Sequence, residues 1–214
     1  MSRPAALILL MLSASLALPA CSPAGTVSDP TATRPAHASA PASPAHRAST
    51  SAAVRHAGAQ TLIFETPLPS DSVQAAVIRD FRTAQVLWVR SDTAHRLVAP
   101  IRSYLTRNEL RRLAGGSIRQ FKITGDVPAG SDRMFQTRVT VLSAHRADIS
   151  TCDDSSGYRA KNLATGNVDT QYNSPPNKQY LYETWHMTRL GAHWAIASVA
   201  PVTLPDPRAK PCQP

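Results

Sequence analysis

The chain has few of the residues from which cofactor and metal sites are built. Its 214 residues include only three cysteines, nine glycines and 6% aromatic residues. The sequence contains no glycine-rich phosphate loop, no nucleophile elbow, no paired-cysteine metal motif and no zinc-type His-Glu motif. We therefore expect no metal and no cofactor, and no motif names a reaction.

No apolar run is long enough to span a membrane as a helix. The run over residues 5–18 has about 14 residues, whereas a spanning helix needs roughly 20. It follows the basic Arg3, and small residues lead from it to Cys21. This order resembles a bacterial lipoprotein signal peptide, the alternative being an uncleaved anchor. We expect residues 1–20 to be removed and Cys21 to carry lipid on the extracytoplasmic face of the cell membrane.

Acidic residues are scarce. The chain has 14 Asp and Glu against 23 Lys and Arg, for a formal net charge of +9. It lacks the combined aromatic and basic pattern of nucleic-acid modules, and an exported protein rarely meets nucleic acid. We therefore expect no nucleic-acid partner. Anionic headgroups, an anionic wall polymer or envelope proteins are the expected neighbours, unless the charge only confers solubility.

Large apolar residues are rare between Cys21 and Gln60, where Ala, Pro, Ser, Thr and His dominate. Too little apolar surface is available there to offset the entropy lost on ordering, so residues 21–60 are predicted to be a disordered stalk. Residues 61–214 then form a single domain with a C-terminal tail, and its size permits folding without a metal.

Periodicity divides this domain into helices followed by strands. Apolar residues at helical spacing predict an amphipathic helix from about Ser70 to Asp92, with its buried stripe at Val73, Val77, Phe81, Ala84 and Trp88. Two further helical stretches are predicted at 101–105 and 106–113, and strands at 118–124, 134–142, 146–151, 180–190 and 194–202. The polar segment 161–178 is predicted to be a long connection or a hairpin. Three N-terminal helices packed on a curved, mainly antiparallel sheet make an α+β fold.

Two segments carry a resemblance to a known family. The ending from Met187 to Trp194 and the stretch from Ala147 to Ser155 resemble the NTF2-like (SnoaL-like) cone fold, and more narrowly a group of exported actinobacterial lipoproteins of unassigned function. The resemblance covers about residues 70–212. It implies a conical pocket between the first helix and the concave face of the sheet. NTF2-like enzymes use a carboxylate there, often with a histidine, as general acid or base.

Two cysteines remain once Cys21 is assigned to lipid. Outside the cytoplasm, Cys152 and Cys212 are expected to form a disulfide that ties the proline-rich tail to the sheet, the alternative being two free thiols. The acids next to Cys152, Asp153 and Asp154, argue against a catalytic thiolate because they raise the pKa of the thiol.

The candidates for acid or base chemistry are Asp92 with His95, His145, Asp153, Asp154, Glu183 and His186. If Trp185 faces the core, strand alternation places Glu183 on the same face and His186 on the opposite one. Glu183 is therefore the candidate general base, or else a structural carboxylate paired with an arginine. Asp92 is predicted to cap a helix, and the stretch from Asp153 to Gly157 to form a turn beside a strand.

Basic residues are densest near the third helical stretch. Arg107 and Arg111 lie four residues apart and so share a helix face, with Arg112 beside them. These three are a candidate contact for an anionic surface or partner, the alternative being an ordinary solvated face.

The sequence thus favours a lipid-anchored binding or scaffolding module at the cell envelope. The alternative is a small cofactor-independent pocket enzyme, an isomerase, dehydratase or hydrolase with a carboxylate base. Geometry discriminates between the two. Glu183 or Asp92 deep in an open cavity beside a histidine or tyrosine favours the enzyme, whereas a pocket filled by Phe81, Trp88 and Trp185 argues against it.

Overall fold

The computed structural model describes residues 52–169, 179–202 and 206–213, all within one compact unit, Arg47–Pro214. The lipidation predicted at Cys21, most of the predicted stalk and residues 170–178 lie outside the described residues. The elements are β1 Ala53–Ala57, β2 Ala59–Phe64, α1 Ser72–Thr93, α2 Arg107–Gly115, α3 Ser117–Thr124, β3 Asp126–Ser143, β4 Arg146–Asp154, β5 Tyr158–Asn162, β6 Val168–Asp169, β7 Tyr180–Leu190 and β8 His193–Val202. Short 3₁₀ helices occupy Ala99–Ser103 and Lys210–Cys212. In the described part of the chain, no helix is long and apolar enough to cross a bilayer.

The fold is α+β, with one mixed sheet of eight strands. The main path runs β1-β2-β3-β4-β7-β8, and β5 and β6 extend it beside β3. The strand β3 is 18 residues long, and β4 and β5 pair with successive parts of the same edge of it. Pairing of β2 with β3 is parallel, whereas the other described strand pairs are antiparallel.

The ordered domain begins before residue 61, where the sequence predicts it to start. Strand β1 and the first residues of β2 lie inside the predicted stalk, so two strands precede the helices. Three of the five residues of β1 are exposed, and the strand is held mainly by backbone pairing with β2 in the register Ala53 to Phe64. Composition does not reveal this strand, because its stabilisation comes from hydrogen bonds rather than from buried apolar side chains.

The predicted strand over 118–124 is wrong, because this segment is the helix α3. Its buried residues, Ile118 and Phe121, are three apart, and Gly125 ends the helix with φ +73°, a left-handed conformation that favours glycine. The isoleucines and Thr124 have strand propensity, but contacts with the other helices outweigh it. The stretch predicted as a helix over 101–105 is the 3₁₀ turn Ala99–Ser103.

The long helix α1 lies across one face of the sheet. Asp71 caps its N-terminus, where the side chain accepts a hydrogen bond from the backbone N–H of Gln74. Val77, Phe81 and Ala84 are buried as the periodicity predicts, whereas Val73 in the first turn is 43% exposed. These buried side chains form one core cluster with the inner residues of β2, β3, β4, β7 and β8.

Cys152 and Cys212 form the predicted disulfide. The bond joins β4 to the C-terminal 3₁₀ helix, where Ala209 and Cys212 are fully buried. The tail therefore packs against the sheet instead of extending into solvent.

Substituting Gly130 tests the close approach of β3 to the turn before β5. Gly130 has φ +78°, and a Cβ there would lie 2.1 Å from the carbonyl oxygen of Gly157. We expect Gly130→Ala to lower the free energy of unfolding by about 3 kcal/mol, because both the backbone conformation and the contact become strained. The matched control is Gly166→Ala, which has φ +72° but no atom within 4 Å of the added Cβ. Urea unfolding of both variants measures the difference, and equal losses would contradict the role of the contact.

Candidate functional site

Three carboxyl groups lie on the inner face of neighbouring strands. Asp132 comes from β3, Asp153 from β4 and Glu183 from β7. The strand register brings them together. Asp153 is paired with Met134, which lies two residues after Asp132 on β3. Glu183 is paired with Thr151, which lies two residues before Asp153 on β4. Asp153 and Glu183 are 7% and 8% exposed. These three are called the carboxyl cluster below.

Glu183 lies on the inner face together with Trp185, in agreement with the strand alternation. The indole Nε1 of Trp185 donates a hydrogen bond to Glu183 Oε2 at 2.9 Å. Burial raises the pKa of Glu183 to about 7, and the charge of Asp132 adds to this effect. The indole hydrogen bond and the charge of Arg112 act in the opposite direction.

The carboxyl groups of Asp132 and Asp153 lie close enough to interact with each other. Burial raises the pKa of both groups, and the charges of Asp132 and Glu183 further raise that of Asp153. The Oδ1 atom of each group is buried without a hydrogen-bond partner among the described residues. Over the same residues, no three His, Cys, Asp or Glu side chains are arranged to hold a metal ion.

The turn predicted from Asp153 to Gly157 is confined to the residues after Asp154, because β4 continues through Asp153 and Asp154. Asp153 points inward, whereas Asp154 pairs with Arg133 at 3.1 Å. The sequence reasoning missed Asp132 altogether. Its signal is present in the alternation with the buried Met134, which places the two on one face of β3.

Asp92 and His95 do not form a dyad. Asp92, in the last turn of α1, is 5% exposed, and its Oδ1 accepts a hydrogen bond from Ser117 Oγ at 2.7 Å. Burial raises its pKa to about 7, against the opposing hydrogen bonds from Ser117 and Trp88. His95 instead donates through Nε2 to the backbone carbonyl of Asp126 at 2.7 Å. Asp92 thus links α1 to α3, a structural role different from the predicted cap.

Aromatic side chains fill the space between α1 and the inner face of the sheet. The ring of Trp185 lies edge to face with Phe81, at 5.4 Å between centroids, and with Trp88, at 6.3 Å. The guanidinium of Arg112 lies 4.9 Å from the ring centre of Trp88. Among the described residues, no histidine or tyrosine is hydrogen-bonded to Glu183 or Asp92. Phe81, Trp88 and Trp185 therefore pack together between α1 and the sheet.

The three arginines of α2 are all exposed. Arg112 pairs with the buried Glu109 at 2.7 Å and its guanidinium stacks on Trp88, while 49% of its side chain remains exposed. Arg111 donates to Asn108 Oδ1, and Arg107 is exposed. All three therefore lie at the surface, and in the described part of the chain Arg107 and Arg111 form no ion pair.

An open cavity of about 410 Å³ lies on another side of α1. It is called the arginine groove, and its lining residues are Arg55, Leu68, Arg79, Arg82, Thr83, Val86, Leu87 and Arg90. None of these residues is acidic. Six of them form one stripe of α1, with Arg79 and Arg90 about 16 Å apart along the helix axis. The sequence reasoning missed this cavity. The helical spacing of the three α1 arginines indicates a shared helix face, but it does not indicate a cavity.

Arg82 is held in place within the groove, and it has no ion-pair partner in the part of the chain that the structure describes. Its guanidinium donates to the backbone carbonyl of Thr66 and lies 5.2 Å from the ring centre of Phe64. Burial lowers the pKa of Arg82, and the nearby charge of Arg55 lowers it further. Among the ion pairs of the described residues, none includes an arginine of the groove. The groove therefore concentrates uncompensated positive charge.

Comparison with known proteins identifies no family. No family model matches the chain, and no curated protein matches it. Among solved structures, the chain is similar to the intermembrane space region of chloroplast protein ARC6, with a TM-score of 0.35 and 13% identity over 58% of this chain and 95% of that one. It is also similar to a putative calcium/calmodulin dependent protein kinase II association domain from Xanthomonas campestris, with a TM-score of 0.38 and 13% identity over 66% of this chain and 94% of that one. At these scores neither likeness carries an argument about function.

Proposed function

We propose that the chain is an extracytoplasmic lipoprotein, anchored through Cys21, whose NTF2-like domain acts as a binding module at the cell envelope. Its ligand binds on the exterior of α1 and not in the interior. The NTF2-like assignment is supported by the long helix α1 lying against one face of the sheet, with α2 and α3 following it. The disulfide supports an oxidising compartment.

The observation that carries this proposal is the contrast between the two sides of α1. On the sheet side, Phe81, Trp88 and Trp185 occupy the space where an NTF2-like enzyme would hold its substrate. On another side, the arginine groove is open, and among the described residues its arginines form no ion pair. A binding module needs only the arginine groove and does not require an open interior.

The pocket-enzyme alternative retains one supporting observation. Glu183 and Asp92 both have a pKa raised to about 7, which suits general acid or base catalysis near neutral pH. Catalysis would require the aromatic side chains to move aside. Burial and structural hydrogen bonds explain the same pKa values without a reaction, so we place the binding module first.

Membrane anchoring is tested by changing Cys21 in the full-length chain. We expect the wild type to fractionate with membranes and mass spectrometry to find Cys21 as a diacylglyceryl-modified N-terminus. Cys21→Ser is expected to abolish both the modification and the membrane association. Recovery of the wild type as an unmodified, full-length cytoplasmic chain would contradict the proposed anchor.

Binding through the groove is tested by site-specific photo-crosslinking in intact cells of the organism that makes the protein. A photoreactive phenylalanine analogue replaces Leu68 in the groove or, as a matched control, Leu142 on β3; these leucines are 41% and 57% exposed. We expect adducts from position 68 that are absent from position 142. Adducts only at position 142, or at neither position, would contradict binding at the exterior of α1.

A further inference from the structure

We propose that the arginine groove binds an anionic amphiphile with a phosphate ester head and a short apolar chain. The head contacts Arg55 and Arg82, and the chain lies along Leu68, Val86 and Leu87. This inference rests on the proposed function, since it names the ligand class for the same surface.

The first argument is the pair of positive charges. Arg82 is partly withdrawn from water, and Arg55 is close enough to lower its pKa further. Two like charges held together are destabilising, and the lining of the groove contains no carboxylate to offset them. An anion that contacts both guanidinium groups relieves the repulsion and replaces the lost hydration.

The second argument is the preorganisation of Arg82. The carbonyl of Thr66 and the ring of Phe64 fix the guanidinium, so less side-chain entropy is lost when a ligand binds. Guanidinium groups bind phosphate through paired N–H donors, and two arginines match the several acceptor oxygens of a phosphate ester. This geometry favours a phosphate over a singly charged, two-oxygen carboxylate.

The third argument is the apolar part of the lining. Leu68 is 41% exposed, and Val86 and Leu87 lie beside it in the groove. Inorganic phosphate alone would leave this surface in water, whereas an attached apolar chain would bury it. The volume of about 410 Å³ falls in the usual range for small-molecule sites.

Decyl phosphate, kept below its micelle concentration, is the probe for this site. Isothermal titration uses the full-length chain carrying Cys21→Ser, so that no lipid anchor competes. We expect Arg55→Gln with Arg82→Gln to weaken binding about tenfold or more, because both charge-assisted contacts to the head are lost. The matched control, Arg102→Gln with Arg119→Gln, removes the same charge from exposed positions outside the groove and is expected to change affinity less than about twofold.

A second pair of variants separates the head from the chain. We expect Leu68→Gln to weaken decyl phosphate binding about threefold to tenfold and to leave the affinity for inorganic phosphate unchanged. The control Leu142→Gln is expected to affect neither probe. Decyltrimethylammonium, with the same chain and a positive head, is expected not to bind.

Three results would overturn the inference. They are no binding of decyl phosphate by the Cys21→Ser chain, equal losses in the two arginine double variants, and an unchanged affinity for decyl phosphate in Leu68→Gln. If one of these results is obtained but position 68 still forms crosslinks in cells, the proposed ligand class is wrong, whereas the proposed binding surface on the exterior of α1 is still supported. Vesicles containing phosphatidic acid distinguish a membrane lipid from a soluble ligand. Binding to the vesicles assigns a membrane lipid, whereas binding to monomeric decyl phosphate alone assigns a soluble phosphate ester.

Discussion

Replacing Cys152 and Cys212 together with alanine is expected to lower the free energy of unfolding by about 4 kcal/mol, which is the largest single effect predicted here. The bond closes a loop with a sequence separation of 60 residues, and opening it restores conformational freedom to the unfolded chain. Alanine is chosen because both positions are buried, at 2% and 0% exposed, and serine would bury an unpaired hydroxyl. Urea unfolding with a tryptophan fluorescence readout measures the change.

The tail provides a local readout of the same substitution. Ala209 is fully buried beside Cys212, so loss of the bond is expected to expose the tail to tryptic cleavage after Arg208 before the rest of the domain is cut. Cys21→Ser serves as the control and is expected to leave the unfolding curve unchanged. A loss below about 1 kcal/mol in the double alanine variant would contradict a structural role for the disulfide.

Glu183→Gln is expected to stabilise the protein by about 2 kcal/mol near pH 8 and to have little effect near pH 4. The pKa of Glu183 is raised from its ordinary 4.5 to about 7 in the folded protein. The protonated carboxyl therefore favours the folded state fully below about pH 4.5, and this contribution is lost as pH rises to about 7. Glutamine stays neutral at every pH and retains an oxygen that accepts the Trp185 hydrogen bond.

Urea unfolding at several pH values measures this effect. The control is Glu65→Gln, whose exposed side chain pairs with Arg133, and it is expected to change stability by less than about 1 kcal/mol at either pH. Equal stability of Glu183→Gln and the wild type at pH 8 would show that Glu183 is ionised in the fold at no cost. A loss of stability at pH 8 would show that its charge is required.

Local sequence patterns predict a large part of this fold. The helix α1 follows from apolar spacing, and the hairpin of β7 and β8 follows from alternation around Gly191. The disulfide follows from the number of cysteines and the expected compartment. Each of these features is specified by residues close in sequence or by a simple count.

Features that depend on distant pairing could not be predicted in the same way. The parallel pairing of β2 with β3 joins residues about 70 positions apart, and no local pattern specifies it. Helix α3 has strand-forming residues, and its contacts with α1, α2 and β3 stabilise the helical conformation. In α3, therefore, tertiary contacts overrode local propensity.

The candidate sites also combine features that local pattern specifies with features that depend on distant parts of the chain. Glu183 was predicted to face inward because a single strand specifies the alternation. The carboxyl cluster depends on the register of three strands, so Asp132 and Asp153 could not be placed beside Glu183 from local pattern alone. The arginine groove combines α1 with Arg55 of β1 and Leu68 of the connecting segment, which only the folded chain brings together.

The most direct test of the exterior binding site is a heteronuclear NMR titration of the Cys21→Ser chain with decyl phosphate. Its three tryptophan indole N–H groups report on the interior, and the Nε–H groups of Arg55 and Arg82 report on the groove. We predict saturable shifts of the arginine signals, with the Trp88 and Trp185 indole signals unchanged. Shifts of these two indoles without any change at the arginines would place the ligand beneath α1 and contradict the account.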